Sequence, residues 1–320
     1  VERGHDVTLI PHPESRTAGT LIPYGQPPHR GVYLRLKEAG QLSAELWRLR
    51  NSADVVLSWG RLASLVPILP IHSLPKIQRY CRDAVPWGSV RKAIALGGDS
   101  VVFAGASESV YRSGPPSTLS HWRTIFDGVE IEKYTFKRDV APDAPLVFLG
   151  RLERVKGVHS AIAIAKASGR RLLIAGNRVD DPNDPRYFET EIAPHLGETV
   201  IYLGAVDDKR KDRLLGEALG LLMPTDTTEA FGLVLAEAFA CGTPAIAFSR
   251  GSIPEVVRDG VNGYVCSNVM EGTALVSKLG SIDRSAVRVD CETRFSSARI
   301  VDAFESLMSE LLARTRRSSN

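Results

Sequence analysis

No stretch of this 320-residue chain reaches the ~20 consecutive apolar residues that a bilayer-spanning helix needs. The most apolar stretch, 62–74, is interrupted by Pro67 and Pro70 and followed by Pro75, which predicts a packed connector instead. Cysteine is scarce. Cys81, Cys241, Cys266 and Cys291 lie far apart with no C-x-x-C pair, which argues against a disulfide framework or a cysteine zinc site. Reduced thiols in a cytoplasmic protein are the expectation. The seven histidines form no i, i+4 pair and no H-E-x-x-H, so no metal ligand set is readable. An excess of one charge is also missing: the net charge is +3, much of it from the arginines of 314–317. Nothing in that balance calls for a nucleic-acid partner; a weak basic face toward anionic lipid stays open.

What is present suits a folded α/β chain. Apolar residues make up 43% and charged residues 24%, and the length allows two full cores. Short apolar runs predict strands at 6–10, 53–58, 76–82, within 99–107, and at 146–149, 170–176, 200–204, 221–223, 245–248 and 260–265. Helical spacing marks 33–50, with Leu34, Leu36, Leu42, Leu46 and Leu49, then 158–166, 209–219 and 295–313. Strands separated by helical stretches predict parallel sheets with crossover helices. The stretch 15–31, rich in Pro, Gly and Thr, predicts a loop. Asp180, Asp181 and Asp184, among Pro182 and Pro185, predict a solvated turn.

The stretch 228–254 carries the chemistry. Pro224 ends the run 221–223, a polar turn follows, and a helix is predicted from near Gly232 to Cys241. Leu235, Ala238 and Phe239 would form its buried face. Gly242 and Pro244 would stop it. Glu229 precedes the first turn and Glu237 lies eight residues on. The amides of Phe231, Gly232 and Leu233 would open the helix, and such an end favours an anion. An anion with a carboxylate on each side suits ribose, diphosphate and hexose, the layout of a nucleotide-sugar. Taken alone, two glutamates at this spacing are also what a solvated helix start carries.

The pattern Glu229-Ala-Phe-Gly-Leu-Val-Leu-Ala-Glu237, with the following A-C-G-T-P-A-I-A and G-S-I-P-E-V-V-x-D-G-x-N-G, resembles the signature of the retaining GT-B glycosyltransferases of family 4. Gly150-Arg151-Leu152-Glu153-Arg154-Val155-Lys156-Gly157 is similar to that family's G-R-x4-K-G. Within the family, the bacterial avilamycin-type subgroup is the nearest in pattern. The resemblance implies a GT-B fold, two Rossmann-like domains facing each other across a cleft. The expected boundaries are an acceptor-side domain at 1–137, a donor domain at 138–294 and a C-terminal helix and basic tail at 295–320, with the helix on the second domain or crossing back to the first.

The resemblance also implies roles. Arg151 and Lys156 would hold the donor diphosphate, and Glu229 with the amides of Phe231, Gly232 and Leu233 would contact the transferred sugar. Glu237 would bind the ribose, and the turn Gly204–Val206 the base. Arg151, Lys156 and Glu229 are the expected catalytic set, working without metal or other cofactor on a UDP- or GDP-linked hexose. The acceptor is open: glycan, lipid-linked or small molecule. Two departures stand out. Asp127 takes the place of the hinge asparagine, and Gln78-Arg79-Tyr80-Cys81-Arg82 lacks the family's first-domain histidine; His72 lies nearby in a Pro-rich connector. The resemblance implies a strand, a glycine-rich loop and most of a helix ahead of Val1. Other readings are a donor-binding module without transfer and a nucleotide-sugar epimerase.

Overall fold

The computed structural model describes residues 1–11, 15–23, 32–179, 182 and 184–318. The first part of the chain holds β1 (Thr8–Leu9), β2 (Thr20–Leu21), α1 (Val32–Leu49), β3 (Val56–Ser58), β4 (Lys76–Tyr80), α2 (Trp87–Gly97), β5 (Val101–Gly105) and β6 (Trp122–Thr124). The second holds β7 (Leu146–Leu149), α3 (Val158–Ala167), β8 (Leu172–Ala175), β9 (Val200–Tyr202), α4 (Asp208–Glu217), β10 (Gly220–Met223), α5 (Leu233–Ala240), β11 (Ala245–Phe248), α6 (Ile253–Val256), β12 (Gly263–Cys266) and α7 (Val269–Val276). Two further helices follow, α8 (Arg284–Phe295) and α9 (Ser297–Ser318). Every described strand pair is parallel: β1 with β2, β3-β4-β5-β6 in one sheet, and β12-β11-β10-β7-β8-β9 in the other. Parallel strands bring all their carboxyl ends to one edge of a sheet, and the loops there build the site.

Several expectations need correction. The strand expected at 6–10 shortens to β1, and the loop expected at 15–31 contains β2; residues 24–31 of it, and the side chains of Leu34 and Leu36, lie outside the described residues. β3 is half-buried rather than fully buried. The connector 62–74 packs as expected, through a 3-10 helix Leu62–Ile68 that buries Leu62, Leu65 and Ile68. α2, α7 and α8 had no counterpart among the expected helices.

The four- and six-stranded sheets are covered on both faces, as βα crossovers require, whereas β1 and β2 are exposed. Along β4 and β5, Ile77, Val102 and Ala104 face one way and Val101 and Phe103 the other, the period of two of a strand. The first set packs with Phe304, Leu307 and Leu311 of α9, so the last helix crosses back to the four-stranded sheet. The crossing is close. Val129 N donates to Phe295 O at 2.8 Å and Ser297 N to Val129 O at 2.9 Å. A Cβ on Gly128 would stand 2.6 Å from Ile300 Cγ1. Beside it, Asp127 accepts from Arg79 Nη2 at 2.7 Å, and Arg79 Nη1 also donates to the carbonyls of Gly105 and Ile125. The acid at this hinge thus serves a buried guanidinium, which an asparagine could not neutralise.

Two buried cations tie strand starts to neighbouring backbone. Lys76 Nζ donates to Ile68 O, Leu69 O, Ile71 O and Ser100 Oγ at 2.7–3.1 Å, and burial lowers its pKa to about 8. Arg284 donates to Lys137 O, Ala218 O, Gly216 O and Thr243 Oγ1 at 2.7–2.9 Å, and burial lowers its pKa to about 10. Among the described residues no helix is long and apolar enough to cross a membrane.

Candidate active site

The turn after β7 is built by a close backbone approach. Residues Arg154–Lys156 form a 3-10 turn closed by Gly157 at φ +76°, a left-handed conformation that favours glycine. A Cβ there would lie 1.9 Å from Pro224 O, the residue that ends β10. Glycine lets the two loops meet, and two bonds join them: Asp226 N to Val155 O at 2.9 Å and Thr225 Oγ1 to Val155 O at 3.0 Å. Lys156 Nζ therefore reaches Glu229 Oε2 at 2.8 Å, with both side chains mostly buried. Arg151 keeps a largely exposed guanidinium, held toward Glu153 Oε1 at 2.8 Å.

The Glu229 loop is braced from β11 as well. Gly251, at φ +58°, would put a Cβ 2.3 Å from Glu229 O, and Ser252 N donates to that carbonyl at 2.8 Å. Gly232, at φ +82°, precedes α5. The Phe231 side chain packs with Phe126 and Phe295, so only its amide remains for a ligand. Leu233 is exposed. α5 buries Leu235, Ala238 and Phe239 as expected, and Ala236 and Ala240 too, because sheet and α8 enclose it.

Glu237 is not solvated. Its Oε1 accepts from Lys211 Nζ at 2.7 Å and Tyr134 OH at 2.8 Å. Burial pulls the Lys211 pKa down, but the bond to Glu237 outweighs it and the net shift is upward; burial and the Glu237 charge both raise that of Tyr134. Neither partner was legible. Lys211 belongs to a charged run on α4 that looks like any solvated face, and Tyr134 lies 103 residues from Glu237.

The remaining expected residue, Val206, lies with Gly204 on the turn after β9; Gly204 has φ +72° and its carbonyl accepts from Gly176 N at 2.9 Å. β9 is the sheet's outer strand, with β8 between it and β7. The turn expected to be solvated at 180–185 is engaged where it is described: Arg154 Nε donates to Asp184 Oδ2 at 2.5 Å and its Nη2 to Glu191 at 3.1 Å, while Asp180 and Asp181 lie outside the described residues.

The geometry brings Arg151, Lys156, Glu229 and the opening of α5 to adjacent loops at one sheet edge, with Glu237 on the following helix. Residues 131–282 match the family model of glycosyl transferases group 1. This region contains Arg151, Lys156, Gly204, Val206, Glu229, Phe231, Gly232, Leu233 and Glu237, and the Glu237 partners Tyr134 and Lys211. Among curated relatives, N-acetyl-alpha-D-glucosaminyl L-malate synthase of Bacillus anthracis is 27% identical over 212 residues, covering 59% of this chain. The chain spans 54% of that relative's length, about half. Among solved structures, AviGT4, a glycosyltransferase involved in avilamycin A biosynthesis, aligns with TM-score 0.67 at 23% identity, over 98% of this chain and 86% of its own. The Anabaena protein HepE, in complex with UDP and glucose, aligns with TM-score 0.66 at 17% identity, over 91% and 86%. The fold is that of the GT-B glycosyltransferases: two Rossmann-like α/β halves around parallel sheets.

Proposed function

We propose that this chain transfers a hexose from a UDP- or GDP-linked sugar to an acceptor hydroxyl, with retention at the anomeric carbon, as a family 4 enzyme. One observation carries the reading. Lys156 and Glu229 come from two different strand ends and meet at 2.8 Å beside the Gly232 turn, where a diphosphate and a hexose would share one pocket. The leaving group is a nucleoside diphosphate, so catalysis means stabilising charge that develops on the β-phosphate. Arg151 supplies a planar fork and Lys156 a point charge for it, in positions set before substrate arrives. Glu229 orients the sugar hydroxyls. Glu237, steadied by Lys211 and Tyr134, accepts from the ribose hydroxyls, and the backbone of Gly204 and Val206 receives the base. These cations are the chain's own and the scheme calls on no cofactor. The boundaries 1–137, 138–294 and 295–320 belong to the same proposal.

Calorimetric titration with UDP, GDP and ADP, repeated on Glu237→Ala, tests it. One diphosphate should bind, with affinity lowered about tenfold or more by the loss of a charged acceptor. Failure of all three to bind a folded sample would refute the reading. Binding without transfer or hydrolysis of the matching sugar would leave a donor-binding module.

A further inference from the structure

β5 runs out at its carboxyl end into residues 106–109, and this loop meets the second half of the molecule through one side chain. Glu255, on α6, accepts from Glu108 N at Oε2 and from Ser109 N at Oε1, both at 2.8 Å. Those amides open the 3-10 turn Glu108–Val110, and such leading N–H groups have no partner inside their own turn. The carboxylate satisfies both with charge-assisted bonds. The same seam is sealed by small apolar groups: Ala106 is buried in the core of the second half, and Ala230, next to Glu229, in the core of the first.

Glu255 is tied just as directly to the Glu229 loop. Glu255 N donates to Ser252 O and Ser252 N to Glu229 O, each at 2.8 Å. Arg294 Nη2 holds the Glu255 carbonyl from behind at 2.5 Å. One five-residue segment, 251–255, therefore braces the backbone of Glu229 and grips the opposing wall of the cleft.

We propose that Glu255 is a positioning residue for the transfer step. Its carboxylate holds the 106–109 loop against the Glu229 loop and so keeps the first half's wall over the donor sugar. The proposal rests on the transfer reading above. Glu255 acts through the loop and contacts neither substrate. Its loss should spare nucleoside diphosphate affinity, which Arg151, Lys156 and Glu237 supply from the second half, and should fall on kcat.

Two variants probe the clasp from opposite sides. Glu255→Gln keeps the size but offers one acceptor and turns a donor toward the second amide. Glu108→Pro deletes one amide and leaves Glu255 intact. Proline fits there because Ser107 is extended (φ −158°, ψ 169°) and Glu108 is the first residue of the turn. With the parent active, each variant should bind UDP within about twofold of the parent and lose about tenfold in kcat, with the Ser109 amide in Glu255→Gln exchanging about tenfold faster; the double variant should be no worse than the worse single. Parent-like kcat in both variants overturns the positioning role alone. A parent that binds no nucleoside diphosphate brings down the transfer reading, and this role with it.

Discussion

Gly157→Ala separates two costs that glycine usually hides together. At φ +76° an alanine carries the left-handed penalty, roughly 1–2 kcal/mol. Gly169, at φ +67° after α3, carries the same penalty but would have nothing within 4 Å of an added Cβ. It is the control. At Gly157 the Cβ would sit 1.9 Å from Pro224 O, so the loops must part by roughly 1.5 Å to reach ordinary contact. That separation breaks both bonds to Val155 O, now 2.9 and 3.0 Å, at about 1 kcal/mol each. Gly157→Ala should therefore cost about 3–4 kcal/mol and Gly169→Ala about 1–2 kcal/mol. Urea unfolding of both variants reads the difference. Lys156 also moves off Glu229 in the first and not the second, so UDP affinity should fall only for Gly157→Ala. Equal stability losses would refute the close approach of the two loops.

Lys156→Ala and Arg151→Ala should each lower turnover by about a hundredfold if they stabilise the leaving diphosphate, and near-normal turnover in both would remove them from the mechanism. Tyr134→Phe keeps the ring and deletes one bond to Glu237; a stability loss of about 1 kcal/mol and a several-fold weaker UDP affinity are expected, read by thermal unfolding and titration. Lys76→Met strips a donor from three carbonyls and a hydroxyl in the first core, and should destabilise by about 3 kcal/mol or more in urea at neutral pH. Lys76 has a pH signature too. Its folded pKa near 8 lies below the ordinary 10.5, so between those values the unfolded chain holds more protons. The parent's stability should then rise from pH 8 toward 10.5 through this group, and that rise should be missing in Lys76→Met.

Much of the fold was legible because its signals are local. Leu146–Leu149 and Ala245–Phe248 are short apolar runs bounded by breakers, and both are strands at those residues. α5 starts and stops within a residue of expectation, since Gly232, Gly242 and Pro244 act through their own backbone geometry. α8 escaped because charged residues recur along it: Arg284, Asp290 and Arg294 look like a solvated face, but Arg284 and Asp290 are buried, Arg294 is half-buried, and all three are bound to backbone or to one another. Asp127 looked like a small departure from a pattern, yet it is the counter-ion of a buried arginine.

The sequence by itself determined which residues are available for chemistry. The spacing of Arg151 and Lys156 on one turn, and of Glu229 and Glu237 around one helix start, follows from local backbone periods. Only the tertiary structure decided their partners. Lys156 meets Glu229 across 73 residues, Lys211 and Tyr134 meet Glu237 across 26 and 103, and Glu255 grips amides 146 and 147 residues away. The physical reason is that parallel strands deliver distant loops to one edge. Their contacts then depend on sheet order and on glycines that let backbones touch, and no local pattern encodes either.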